Sequence, residues 1–480
     1  MESSDNLVKN KINFSLKRLL YFVLFTLFSY FVSFSSRSIS NFTYSIFTII
    51  FIAYNFYLTG DLIEYVLKIH YRAFSSLDRL ISKILLGLFF TSITFFLSRD
   101  FFTSSFFIYT LWAINLIYFI YPTRSRLYDF SVRSHFSEFK YLDKTEKIIL
   151  FFIFLMLLFS VPTGSLFFSI SNQSEGLILF NSMVDALGVN LNKSIRLISY
   201  HYVLTGSLAM LISYSVFRRF FSRRVCLFGI FLIQTNWSFY KLYNADPEVL
   251  TYAFYMLSLL WLYFFVRKSL SYKSGFLMGL ILPSAIISLF DIFFSFSLLF
   301  IFTAFNLIRN KNYWFFLQFL RYLLPGVIFC LLLVSAYKLP LFDLNLSFEN
   351  SVEVLLQALK RKGFLVTGTF SFAIILLGSL GISKVSLDWL KARQFNKILW
   401  PCLFIYLLVL YFFGVVEIPS IITLIIIYFT FMSLVFTDFI VWSLSDKRDY
   451  RTIFMLLIFL MALLDSHFDG RVKNFISFFN

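Results

Sequence analysis

Tyr243-Asn244-Ala245-Asp246-Pro247-Glu248 stands between an apolar run that ends near Trp237 and a second that runs from about Val249 to Val266. That alternation decides the fold: a long apolar stretch, a short polar break, a long apolar stretch again. Runs of this length read as helices for a bilayer core, and two carboxylates at the mouth of one of them are costly beside lipid. The same grammar extends in both directions along the 480 residues. The chain is 59% hydrophobic and 14% charged, with a mean hydropathy of +0.80. A soluble domain cannot hide that much apolar surface, so lipid is the expected solvent for most of it. The expected fold is all-α and polytopic, with about 13–15 transmembrane helices joined by short loops. Short helices at the interface are expected in the outer loops.

Basic residues test this reading. With the N-terminus inside, the inner segments carry 30 of the 42 Lys and Arg, and the outer segments carry 11. A wrong number of crossings would break the alternation, so segments 164–196, 238–247 and 338–364 are expected outside, and segments such as the arginine turn 218–224 and 443–451 inside. Placed in loops, the net charge of +17 sets topology and does not indicate nucleic acid. The three cysteines (Cys226, Cys330 and Cys402) all lie in apolar runs without metal or redox spacing, and read as small buried hydrophobes. The N-terminal stretch carries acids as well as bases and no cleavage signal, and reads as an inner tail with a first span.

Three parts follow. Residues 1–146 form a four-span accessory module, with spans expected at 19–35, 42–58, 84–98 and 101–121, in which Asp61–Lys83 reads as a helix lying on the inner membrane surface. Residues 147–340 hold the candidate core, with spans expected at 147–163, 197–217, 225–237, 248–266, 275–290, 292–308 and 319–337. Residues 341–480 form a C-terminal membrane region with spans at 365–383, 398–414, 419–442 and 452–464. Its outer amphipathic segment, 339–363, begins at the boundary and ends in Lys360-Arg361-Lys362.

The candidate chemistry gathers outside. Asp246-Pro247-Glu248 has the form of an ordinary helix start, with Asp as cap and Pro as first helical residue. A carboxylate there can both cap and catalyse. Glu175 lies one hairpin earlier, on the preceding long outer loop, and is also readable as an exposed loop glutamate; Asp185 is a reserve on the same loop. Two carboxylates are the minimum for activating an acceptor and orienting a sugar. Arg196, Lys193, Lys241, Lys360, Arg361 and Lys362 are the outer cations available to a phosphate; the 360–362 cluster can equally snorkel to lipid headgroups. His201 and Asp291 are pocket candidates whose structural readings are a packed histidine and a tight turn.

The succession Ser194-Ile195-Arg196-Leu197-Ile198-Ser199, a span, Phe217-Arg218-Arg219-Phe220-Phe221-Ser222-Arg223-Arg224, a span, then Asn244-Ala245-Asp246-Pro247 resembles the GT-C superfamily of membrane glycosyltransferases. Within it, the pattern is similar to the protein mannosyltransferase and aminoarabinose transferase branch. The resemblance covers roughly residues 147–340. It implies transfer of a sugar from a polyprenyl-phosphate carrier to a cell-envelope acceptor on the outer face of the membrane. It also implies catalytic roles for Glu175 as base and Asp246 in the pocket, and a donor-phosphate role for Arg196. Glu248 completes an Asp-x-Glu like the acidic pair that binds a divalent metal in oligosaccharyltransferase relatives. The matched branch works without metal, so no cofactor is required and a divalent ion at Asp246 and Glu248 stays open. The family's first loop reads Asp-Glu, whereas this chain has Ser174-Glu175-Gly176. The implied partners are the lipid-linked donor and membrane lipids, without nucleic acid. The implied location is the cytoplasmic (inner) membrane of a bacterium, with the N-terminus inside. Rival readings are a non-enzymatic transporter, flippase or assembly scaffold, and a polysaccharide polymerase or ligase. Transporters keep ionisable groups at mid-membrane, whereas these acids gather at outer helix ends.

Overall fold

The structure is a computed structural model that describes residues 53–64, 76–98, 139–160, 208–235, 372–389, 418–444 and 448–465, with isolated helical positions elsewhere. Among the described residues all regular structure is helical and no strand occurs, as the composition predicts. Six helices are complete: α1 (Ser76–Ser98), α2 (Lys144–Ser160), α3 (Arg223–Thr235), α4 (Phe372–Trp389), α5 (Ile418–Ser443) and α6 (Arg448–Asp465). Helical stretches 53–64 and 208–217 accompany them. Among the described residues no helix is long and apolar enough to cross a membrane. The expectation of about 13–15 transmembrane helices therefore has no direct support there; the apolar runs behind it lie largely outside the described residues.

The chain divides into two compact units. The first comprises Met1–Tyr141 with Ile170–Leu204 and Ile287–Leu289. Its described part is a helix pair, 53–64 against α1. A Cβ at Gly60 would overlap the backbone carbonyl of Lys83, and one at Gly87 would overlap that of Phe56. Four residues back on one helix match four forward on the other, so the two run antiparallel with backbones in contact. Only glycine permits that approach.

This geometry corrects the reading of Asp61–Lys83 as a surface helix. Lys83 sits inside α1, 3% exposed, with Nζ 2.8 Å from Asp61 and 4.0 Å from Glu64, both also largely buried. The same ammonium lies 5.4 Å from the ring centre of Tyr57. Charges that look solvated in the sequence are turned inward, because each finds its counter-charge on the facing helix.

The second unit comprises Leu142–Ser169, Thr205–Ile286 and Phe290–Asn480. It is centred on α3, whose residues from Val225 to Thr235 are all buried. Phe231 of α3 stacks on Phe459 of α6 at 4.5 Å, and Phe152 of α2 meets Phe459 edge-on at 4.9 Å. On another side the turn after 208–217 packs over α5, with Phe217, Phe220 and Phe221 all around Phe431. Helices α4 and α5 approach closely and in parallel: Gly378 faces Phe429 and Gly381 faces Met432, three residues on in both. Ser433 bonds across them, its Oγ donating to the Ile374 carbonyl at 3.2 Å. Lys384 at the end of α4 lies 4.2 Å from the Phe439 ring centre near the end of α5.

The outer faces of these helices are also apolar. In α2, Ile149, Ile153 and Met156 are buried while Ile148, Phe151 and Phe154 are 53–63% exposed. In α6, Met455, Ile458 and Ala462 are buried while Ile453, Leu456, Leu457, Leu460 and Leu464 are 48–81% exposed. Beyond their charged first turns, these two helices are thus apolar on exposed as well as buried faces.

Candidate functional site

The best-defined polar constellation among the described residues joins the start of α2 to the start of α3. Asp143-Lys144-Thr145-Glu146 is a capping box. The Glu146 N–H donates to Oδ1 of Asp143 at 2.8 Å, and the Asp143 N–H donates to Oε2 of Glu146 at 3.0 Å. The two side chains thereby satisfy the first-turn amides and stand as anions at the positive end of the helix dipole.

Both carboxylates are then used a second time. Arg223 donates Nε to Oε1 of Glu146 at 2.9 Å and a terminal N–H to Oε2 at 2.7 Å. This is a bidentate fork on a carboxylate only 4% exposed. Arg224 pairs with Asp143 beside it, on a more open site. The turn between 208–217 and α3 is itself closed by local bonds. Arg218 and Phe221 donate their N–H groups to the carbonyls of Tyr214 and Phe217 at 2.8 and 2.9 Å. An Arg218 guanidinium N–H reaches the Phe221 carbonyl at 3.2 Å. Thus the arginine turn 218–224, read in the sequence as a topological marker, is also a clamp.

The clamp fixes direction. Helices α2 and α3 begin together at the ion pairs, and both place a ring on Phe459 eight residues further on, at Phe152 and Phe231. They therefore run parallel, and the chain leaves both at the end away from the arginines. The Asp-x-x-Glu spacing is a local signal for the capping box that the sequence reading passed over. The fork to Arg223, 77 residues from Glu146, carries no local signal.

Glu175, Asp246, Glu248, Arg196, Lys193, Lys241, Lys360, Arg361, Lys362, His201 and Asp291 all lie outside the described residues, as do the reserve acid Asp185 and the cysteines Cys330 and Cys402. Cys226 is buried in α3 as a thiol, its Sγ donating to the Phe221 carbonyl at 3.7 Å. Asp438 belongs to α5 and has an interaction partner. Among the described residues no group of three or more His, Cys, Asp or Glu is placed to hold a metal. Comparison of the chain with protein-family models, curated proteins and solved structures finds no match.

Proposed function

We propose that the chain is an integral-membrane glycosyltransferase that moves a sugar from a polyprenyl-phosphate carrier to a cell-envelope acceptor on the outer side. The observation that carries this reading is the parallel pairing of α2 and α3. Glu175 follows α2 and Asp246 follows α3 in the chain. Helices clamped at their starts send both following segments away from one common end, which favours two acids on one face. The resemblance of residues 147–340 to membrane glycosyltransferases asks for that arrangement.

Membrane insertion is supported by the apolar outer faces of α2 and α6 and by glycines at helix contacts, which suit helices packed in lipid. Relative directions support it too. The antiparallel pair of unit one spans neighbouring expected crossings, 42–58 and 84–98. Each parallel pair has one expected crossing between its members: 197–217 for α2 and α3, and 398–414 for α4 and α5.

In the proposed reaction an acceptor hydroxyl oxygen attacks the anomeric carbon of the donor. The bond from that carbon to the carrier phosphate breaks, its electron pair leaves with the polyprenyl phosphate, and Glu175 takes the hydroxyl proton. Asp246 shapes the sugar pocket beside Glu248. Arg196, with Lys193, Lys241 and the 360–362 cluster, offsets the phosphate charge. In this reading residues 1–146 are an accessory module and 341–480 a further membrane region, and no metal is required.

Glu175→Gln and Asp246→Asn should each abolish sugar transfer from a polyprenyl-phosphate sugar while leaving the amount of membrane protein unchanged. Transfer retained in both variants overturns the assignment of sites. A separation of the two carboxylates beyond about 15 Å, too far to serve one bound sugar, overturns the reaction.

A further inference from the structure

The start of α2 and the arginine turn before α3 form one basic end of the second unit. Residues 139–151 and 217–225 carry seven Lys and Arg against two acids, Asp143 and Glu146, a surplus of five. Both acids are already engaged. Each caps the first turn of α2, and each also holds an arginine, Glu146 the Arg223 fork and Asp143 the Arg224 guanidinium. The positive end of the α2 dipole is thus answered from within, and the surplus is side-chain charge. Lys144 and Lys147 are exposed, and neither has an ion-pair partner among the described residues. Arg218, which gives one N–H to the Phe221 carbonyl at 3.2 Å, is exposed on the adjoining turn.

What lies directly beyond this charge is apolar. Lys144, Ile148 and Phe151 follow one another at steps of four and three residues along α2, and Lys147, Phe151 and Phe154 do the same. Ile148, Phe151 and Phe154 are all exposed. The exposed face therefore changes from ammonium to hydrocarbon within one helical turn, about 5.4 Å. Tyr141 marks the same level: it is 75% exposed, and its ring centre lies 5.1 Å from the Lys140 ammonium. Tyrosine and lysine at such a step are the pattern of a membrane–water interface. A soluble polyanion would meet the cations and then an apolar wall. A lipid with a negative headgroup meets both halves, phosphate against the cations and chain against the rings.

We infer that this face of α2 binds an anionic phospholipid of the inner leaflet, its phosphate on Lys144 and Lys147 beside Arg218, and one acyl chain along Ile148, Phe151 and Phe154. The inference rests on the membrane reading and on the inner assignment of the arginine turn, and it is independent of sugar transfer. Such a lipid fixes the depth at which the clamped starts of α2 and α3 sit in the bilayer.

The test uses the full chain in neutral detergent, wild type and Lys144→Gln/Lys147→Gln. Phosphatidylglycerol or phosphatidylcholine of matched chains is added as mixed micelles, or inorganic phosphate is added alone. Native mass spectrometry counts the bound lipid, and the shift in thermal unfolding gives its affinity. Wild type should retain phosphatidylglycerol in preference to phosphatidylcholine, and inorganic phosphate at the same concentration should shift nothing. The Gln variant should unfold like wild type without lipid, since both lysines are exposed. It should lose the headgroup preference, about thirtyfold in affinity for two charges near a lipid surface. Lys144→Arg/Lys147→Arg should keep the preference. Lys9→Gln/Lys11→Gln, an equal loss of charge on the expected inner tail, should keep it too. Equal loss in that control overturns the inference, because the charge of the whole chain then decides. So does a Gln variant at 144 and 147 that keeps the preference, and so does inorganic phosphate that stabilises as well as the lipid. Wild type without headgroup preference overturns the inference and leaves the membrane reading standing. A full chain that stays soluble and monodisperse without detergent overturns both.

Discussion

Lys83 shows how much a single buried charge commits the structure around it. Its ammonium is 3% exposed and held by Asp61 at 2.8 Å, with Glu64 at 4.0 Å. Removing it leaves two carboxylates in a site with little water, which costs about 3–5 kcal/mol when one partner of a buried pair is lost. Lys83→Met should therefore destabilise the helix pair by that amount, read by denaturant unfolding in detergent. The triple variant Lys83→Met/Asp61→Asn/Glu64→Gln should recover most of the loss, because no uncompensated charge remains. If the single and triple variants unfold alike, the charges do not act as a set. In the linear sequence these residues read as the charged side of a surface helix, since nothing local announces that a counter-charge waits about twenty residues away on the facing helix. Cys226 is the opposite case: a cysteine in an unbroken apolar run is read correctly as core, because burial of a small hydrophobe requires no partner.

At the scale of elements, the ends of helices were legible where composition changes abruptly and illegible where charge is carried inside. The expected span 419–442 and the helix Ile418–Ser443 nearly coincide, since Pro419 opens an apolar run that a charged turn closes. α1 starts at Ser76, eight residues before the span expected from 84, because Asp78, Arg79 and Lys83 read as part of the surface helix Asp61–Lys83. The contact between α2 and α3 yields a graded prediction. Arg223→Gln strips the fork from Glu146, 4% exposed, and should cost about 3 kcal/mol, the lower end for breaking a buried pair. Arg224→Gln strips Asp143, 40% exposed, and should cost less than about 1 kcal/mol, as water replaces the partner. Parallel unfolding of the two variants measures the difference; equal losses would mean that burial of Glu146 does not decide the energy. Close helix contacts give a second test. Gly381→Leu sets a branched side chain against the Met432 carbonyl and must push α4 off α5. That should cost at least about 1–3 kcal/mol, the usual range for overpacking, whereas the same change at exposed Ser379 of α4 should be nearly neutral.

For the whole molecule, the question is which surround the exposed apolar faces meet. Exposed Leu, Ile and Phe on α2, α4 and α6 would aggregate in water, and the basic loops predict how the chain sits if lipid covers them. The inner assignment of 443–451 and the outer assignment of 164–196 make that orientation measurable with one cysteine at each. In a background where Cys226 is Ala and Cys330 and Cys402 are Ser, Ser445→Cys and Ser174→Cys are introduced separately. In intact cells a membrane-impermeant maleimide should label Ser174→Cys and spare Ser445→Cys; after permeabilisation it should label both. Reversed labelling would invert the topology and move Glu175 and Asp246 to the inner face, where a carrier presented in the outer leaflet is out of reach. Equal labelling of both in intact cells would place the two segments on one side and break the count of crossings between them. The same cells separate insertion from association: alkaline carbonate should leave the protein in the membrane pellet, because stripping surface charge contacts does not release helices whose outer faces are apolar all round. Release into the supernatant would overturn the bilayer as the surround, and with it the lipid-linked donor.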